Sequence, residues 1–137
     1  MILMLDDEPR IMSSYLEDLK LSGMDVEFYD DPKAALERIE VDATKVDLLI
    51  LDLMMPPGER FENRDTERGL RTGVRVYEDV RVLAPNLLVV VLTNVSDPKI
   101  ERRFRHEENC LFVRKERVLP FEFTKQVTDF MQENRDT

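Results

Sequence analysis

The sequence predicts a parallel α/β sandwich in which five strands alternate with five helices joined by right-handed crossovers. Three observations lead there. Leu48-Leu49-Ile50-Leu51 and the run from Leu87 to Leu92 carry no polar alternation, as strands buried on both faces require. Between the apolar runs, hydrophobic residues recur at helical spacing. Finally, Ile2-Leu3-Met4-Leu5 passes at once into Asp6-Asp7-Glu8, and Leu51 passes at once into Asp52, so two strands deliver carboxylates at their carboxyl ends. In open α/β sheets that edge collects ligands and chemistry, because its loops carry polar groups while the strands hold them still.

The elements follow in order. After the first strand, Ile11, Met12, Tyr15, Leu16 and Leu19 mark a helix with one buried face, with Pro9 near its start and Gly23 placed to end it. Met24 to Tyr29 alternates Val26 and Phe28 with Asp25 and Glu27, the pattern of a half-buried edge strand. Asp31 caps a second helix with Pro32 at its first position, and Ala35, Leu36 and Ile39 form its inner stripe. The strand ending in Asp52 comes next. From Gly73, the residues Val76, Tyr77, Val80, Leu83 and Ala84 mark a third helix stopped by Pro85, and the apolar run from Leu87 closes with Thr93-Asn94. Asp97-Pro98 opens a short fourth helix whose only strong apolar anchors are Ile100 and Phe104, so it is expected to be the least firmly held. Leu111-Phe112-Val113 is a last strand ending in Arg114-Lys115, and Phe123, Val127, Phe130 and Met131 line the inner face of a fifth helix.

At 137 residues the chain is read as one domain, long enough to bury a core without disulfides or metal staples. Its longest apolar run is far too short to span a bilayer, and Met1 to Leu5 is too short for a signal peptide, so no membrane association and a cytoplasmic location are expected. Cys110 is the lone cysteine and reads as a buried, unreactive thiol. The sole histidine, His106, lies among Arg102, Arg103, Arg105, Glu107 and Glu108 and reads as part of a solvated helix face. Charge is unevenly spread. Residues 1 to 55 hold 14 acids and 5 bases, a net of −9, whereas residues 56 to 137 hold 15 of each. The half with both acidic strand ends attracts cations and disfavours direct contact with nucleic acid.

Just past the strands stand Asp6 and Asp7, then Asp52, Thr93 and Lys115. Three converging carboxylates cannot all stay ionised without a cation, and Mg²⁺, which takes one or two carboxylates while keeping waters and a phosphate oxygen, resolves the conflict. Metal, lysine and hydroxyl together supply what phosphoryl transfer needs, positioning and charge neutralisation, and an aspartate so placed serves as nucleophile.

These residues resemble the receiver domain of bacterial two-component response regulators. The resemblance is carried by Leu5-Asp6-Asp7-Glu8-Pro9, Leu51-Asp52-Leu53-Met54-Met55-Pro56, Val91-Leu92-Thr93 and Phe112-Val113-Arg114-Lys115, all four in order and each after a hydrophobic strand. It implies a flavodoxin-like doubly wound (βα)5 fold with strand order 2-1-3-4-5. It further implies that Asp52 is the phosphoacceptor for a sensor histidine kinase or phosphotransfer protein, in a regulator rather than an enzyme. Asp7, Asp52 and the Met54 carbonyl would bind Mg²⁺, with Asp6 acting mainly through water. Lys115 would pair with Asp52 or its phosphoryl group, and Thr93 and Phe112 would be the switch pair. Output would pass to a downstream protein target at the last two strands and helices, and family analogy allows a homodimer through the fourth and fifth helices, with Phe121 contributing where exposed.

The chain departs from the family in two places. Asp52 and Thr93 are 41 positions apart, about ten more than is usual, and the excess lies in a charged insertion at about 57–72. Arg60, Arg64, Arg68, Arg71 and Arg75 recur in and just after it at spacings that would fall along one helical face; the stretch reads as a solvated charged loop or, alternatively, as a lid or docking surface. Lys115 is followed by Glu116, with the first proline only at Pro120, so its loop is expected to differ from that of relatives with proline after the lysine. Met54 offers no polar handle to an attacking water, and Asn94 follows Thr93; a long-lived phosphoryl group is expected. Two other readings remain. One is a receiver-like interaction module that works without phosphorylation. The other, an aspartate-nucleophile phosphatase, is disfavoured because Asp52-Leu53-Met54 lacks the second aspartate of such enzymes.

Overall fold

The computed structural model describes residues 1–55 and 71–135. Five strands, β1 (Ile2–Leu5), β2 (Val26–Tyr29), β3 (Leu48–Leu51), β4 (Leu88–Thr93) and β5 (Cys110–Arg114), form one parallel sheet in the order β2-β1-β3-β4-β5. Among the described residues they alternate with five helices: α1 (Pro9–Leu21), α2 (Pro32–Val41), α3 (Thr72–Leu83), α4 (Pro98–His106) and α5 (Pro120–Arg135). This is the flavodoxin-like order expected from the sequence. Of the insertion expected at about 57–72, residues 57–70, with Arg60, Arg64 and Arg68, lie outside the described residues; Thr72 already belongs to α3, and Arg75 pairs with Glu78 at 3.2 Å.

The helix boundaries follow local chemistry. The Asp31 carboxylate accepts from the Ala34 N–H at 3.2 Å and the Asp97 carboxylate from the Lys99 N–H at 2.9 Å, each with proline at the next position. At the end of α1, Gly23 adopts φ +91, and the Gly23 and Met24 amides donate to the Lys20 and Leu19 carbonyls, a closure that a β-carbon would strain.

Alternate residues along each strand face opposite sides of the sheet. Leu3, Leu5, Leu49, Leu51, Val89 and Val91 pack with α2, α3 and α4, while Ile2, Met4, Leu48, Ile50, Val90 and Leu92 pack with α1 and α5. A sheet buried on both faces has no polar positions to spare, so its polar groups gather beyond the strand ends. At the opposite, amino-terminal edge, the Arg81 guanidinium stacks on Tyr77 and donates to the Tyr77 hydroxyl and to carbonyls of Pro85, Leu87, Glu108 and Asn109. It thereby ties α3 to the turns before β4 and β5.

Two side chains expected on inner faces lie outside them. Ile11 is 56% exposed, because Met12 and Leu19 share the buried line of α1 and Ile11 stands about 100° away from Met12. Leu83 is 37% exposed at the last residue of α3, past the face packed by Val76 and Val80. By contrast, Ile100 and Phe104 are the buried residues of α4, as its sequence indicated. Leu19→Ala is expected to cost about 2–5 kcal/mol in urea unfolding and Ile11→Ala no more than about 0.5 kcal/mol; comparable losses from both would contradict this packing.

Candidate functional site

Strand register assembles the site. Leu5 pairs with Leu51, so the next residues, Asp6 and Asp52, stand side by side, and the Asp52 N–H donates to the Leu5 carbonyl at 3.1 Å. Thr93 pairs with Arg114, which puts Lys115 one residue beyond β5 at the same edge. The result is a cluster drawn from three strands. One carboxylate oxygen from each of Asp6, Asp7 and Asp52 lies within 4.8 Å of the others, and the buried Lys115 ammonium reaches Asp6 Oδ2 at 2.8 Å and Asp52 Oδ2 at 3.4 Å. The lysine is thus nearer to Asp6 than to Asp52, the partner expected from the sequence. The absence of a following proline does not keep it from the cluster: Lys115–Arg117 forms a short 3-10 turn, and the side chain points inward.

Three carboxylates face one ammonium in a buried setting, and burial and these charges together set the shifts. The Asp52 carboxyl is pushed up to about 6, first by burial; the Lys115 charge draws it back, Asp6 pushes it further, and the Thr93 hydroxyl and Met54 N–H favour the ionised form. Asp7 is raised by burial and then by Asp6. For Lys115, burial alone acts downward, but the charges of Asp52 and Asp6 outweigh it and hold the ammonium above its ordinary range.

The remaining expected residues surround this cluster. Thr93 is buried and its hydroxyl oxygen accepts from the Val95 N–H at 3.2 Å. Met54 is 43% exposed at the rim, and its N–H lies 3.4 Å from Asp52 Oδ1. Phe112 is buried in the core cluster that also holds Ile100 and Phe104, with the Arg105 guanidinium 5.4 Å from its ring centre. Cys110 is half-buried, and burial pushes its thiol up to about 12, so it stays protonated at neutral pH. His106 lies exposed on α4, its Nδ1 2.7 Å from the Arg102 carbonyl.

The response regulator receiver domain profile matches residues 2–117. The chain belongs to this family. Comparison with curated proteins gave no match. Among solved structures, a CheY-like receiver domain from Methanospirillum hungatei JF-1 is similar over 98% of this chain and 95% of its own, with a TM-score of 0.77 and 19% identity. The NtrX receiver domain from Brucella abortus covers 97% and 98% of the two chains (TM-score 0.72, 21% identity). The Vibrio cholerae chemotaxis protein CheY4 covers 94% and 96% (TM-score 0.72, 20% identity). At these identities the likeness is one of fold.

The acidic edge of this receiver domain fits a divalent cation. Asp7 Oδ1 is a buried oxygen without a hydrogen-bond partner, and an oxygen-rich, net-negative cluster suits a hard ion. Sequence reasoning missed two neighbours. Tyr15, placed only in the inner stripe of α1, directs its hydroxyl at the carbonyls of Lys115 and Val118. Gly73, placed at the start of a helix, runs against the backbone just past β3: a β-carbon there would stand 2.2 Å from the Asp52 carbonyl oxygen and 2.4 Å from Leu53 Cα. A glycine after a charged stretch signals a turn or a close approach without saying what approaches.

The raised Asp52 pKa has a sign for stability. Between the unfolded value near 3.9 and the folded value of about 6, the folded state holds a proton that the unfolded state releases. Stability is therefore unpenalised below about pH 4, falls through this window, and carries the full penalty, about 3 kcal/mol, above about pH 6. Asp52→Asn, which resembles the neutral form, is expected to be more stable than wild type at pH 7 in chelator by about 1–3 kcal/mol. That advantage should vanish towards pH 4; an advantage independent of pH would rule out the ionised carboxylate as its source.

Proposed function

We propose that Asp52 accepts a phosphoryl group from a phosphohistidine on a sensor histidine kinase or phosphotransfer protein, with Mg²⁺ as cofactor, and that the modified domain signals to a downstream protein. The observation carrying this reading is a buried carboxylate at the end of β3, flanked by two more carboxylates and within 3.4 Å of one buried ammonium. In the transfer, an Asp52 oxygen attacks phosphorus and forms a P–O bond while the P–N bond breaks. The bonding pair leaves with the imidazole nitrogen, and Asp52 becomes an acyl phosphate.

Asp7, Asp52 and the Met54 carbonyl would hold Mg²⁺, with Asp6 acting through water, and the ion would neutralise charge on the phosphoryl oxygens. Lys115 supplies the fixed positive charge on the side of Asp6. Once Asp52 carries a dianion, the Lys115 ammonium and Thr93 hydroxyl are its nearest cation and neutral donor among the predicted site residues. The reading makes the chain a cytoplasmic regulator, with self-catalysed phosphotransfer but no turnover of an external substrate. A hydroxyl drawn inward at Thr93 would open space for Phe112, and α4, held by Ile100 and Phe104, is the element free to follow.

Incubation with Mg²⁺ and acetyl phosphate, read by intact mass, is expected to add one phosphoryl group to the wild type and none to Asp52→Ala. Lys115→Ala should slow the gain by about 10- to 1000-fold. A wild type that neither gains mass nor binds Mg²⁺ would point instead to an interaction module independent of phosphorylation. Because exposed Met54 cannot orient a water, Met54→Asn is expected to shorten the lifetime of the phosphoryl group; an unchanged lifetime would remove Met54 from the control of hydrolysis.

A further inference from the structure

We propose that Tyr15 is a positioning residue for Lys115: its hydroxyl fastens the turn that carries the lysine, so that the ammonium stays between Asp6 and Asp52. The Tyr15 Oη lies 3.3 Å from the Lys115 carbonyl oxygen and 3.2 Å from that of Val118, spanning the Lys115–Arg117 turn from α1. One O–H shared between two acceptors accounts for both distances being longer than a single hydroxyl bond. The ring itself is fixed, meeting buried Phe123 edge-on with centroids 5.7 Å apart. The hydroxyl is therefore aimed by packing.

Besides Tyr15, the turn is held by an Arg114–Glu116 ion pair at 2.6 Å and by Val118, which packs against the core on the α1–α5 side. The turn's own closing bond, from the Val118 N–H to the Lys115 carbonyl, is 3.5 Å long, and Glu116 and Arg117 are exposed. Lysine is a point charge on a flexible four-carbon stem, so the place of its ammonium depends on where the backbone starts. Lys115 is gripped at both ends by one unit of the fold. Asp6, at the end of β1, takes the ammonium at 2.8 Å, and Tyr15, in the second turn of α1, takes the carbonyl. Asp6 is itself fixed by the Glu8 N–H at 2.9 Å, where α1 begins. The distance from Lys115 to Asp52 is thus set by β1 and α1 as well as by β5.

The kinetic consequence rests on the reading of Asp52 as phosphoacceptor; the positional claim does not. Tyr15→Phe keeps the ring against Phe123 and removes only the two hydrogen bonds. With Mg²⁺ and acetyl phosphate, this change is expected to slow phosphorylation several-fold in the wild-type background and to do no further harm in a Lys115→Ala background. Equal slowing in both backgrounds, or none in the first, would overturn the proposal. A second arm needs neither donor nor metal. The Lys115 ammonium, protected in its ion pairs, should give an NMR signal in the wild type that broadens in Tyr15→Phe while the amides of β1 and β3 stay in place. An unchanged ammonium signal, or amide shifts spread across the sheet, would reduce Tyr15 to a packing residue. Should acetyl phosphate leave the wild type unmodified, the acceptor reading fails and the NMR arm alone decides the place of Tyr15.

Discussion

A buried imbalance of charge organises the functional edge of this molecule. Asp6 and Asp52 are almost fully buried, Asp7 stands beside them, and Lys115 is the one ammonium among them in the described residues. Burial penalises each charge, and one lysine cannot balance three carboxylates. Such an arrangement persists only because the surrounding fold is stable enough to enforce it. Its consequence is a site that favours a cation.

The enforcement comes from the sheet. Side chains packed on both faces leave the strands no freedom to slip, since a shift of one residue would turn each apolar set towards the wrong layer. Register therefore delivers Asp6 beside Asp52 as a by-product of hydrophobic packing. Gly73 completes the mounting: its N–H donates to the Leu53 carbonyl at 2.9 Å, and the lack of a side chain lets α3 begin directly against the backbone that follows β3.

The other end of the molecule is built for rigidity. Arg81 uses its planar fork on several backbone carbonyls and the Tyr77 hydroxyl, and Tyr77 packs edge-on to Phe104 with centroids 4.9 Å apart. The carboxyl-terminal part of α4 is thereby fixed to α3, while its start adjoins the loop that follows Thr93. With two buried anchors and a tie at its far end, α4 is held at fewer points than a helix packed along its length.

Much of this was written in the chain. Unbroken aliphatic runs demand strands covered on both faces, Asp31-Pro32 and Asp97-Pro98 announce helix starts, and the acids following Leu5 and Leu51 mark the functional edge, because these signals are local and depend on residue type alone. Periodicity also overreached, assigning Ile11 and Leu83 to inner faces that the helices do not bury. Only the tertiary structure decided that Lys115 lies closer to Asp6 than to Asp52, that Gly73 abuts Asp52, and that the Tyr15 hydroxyl lands on the lysine turn. Each joins residues distant in the chain through the way helices and turns seat against the sheet, and a one-dimensional pattern of polarity carries no measure of such distances.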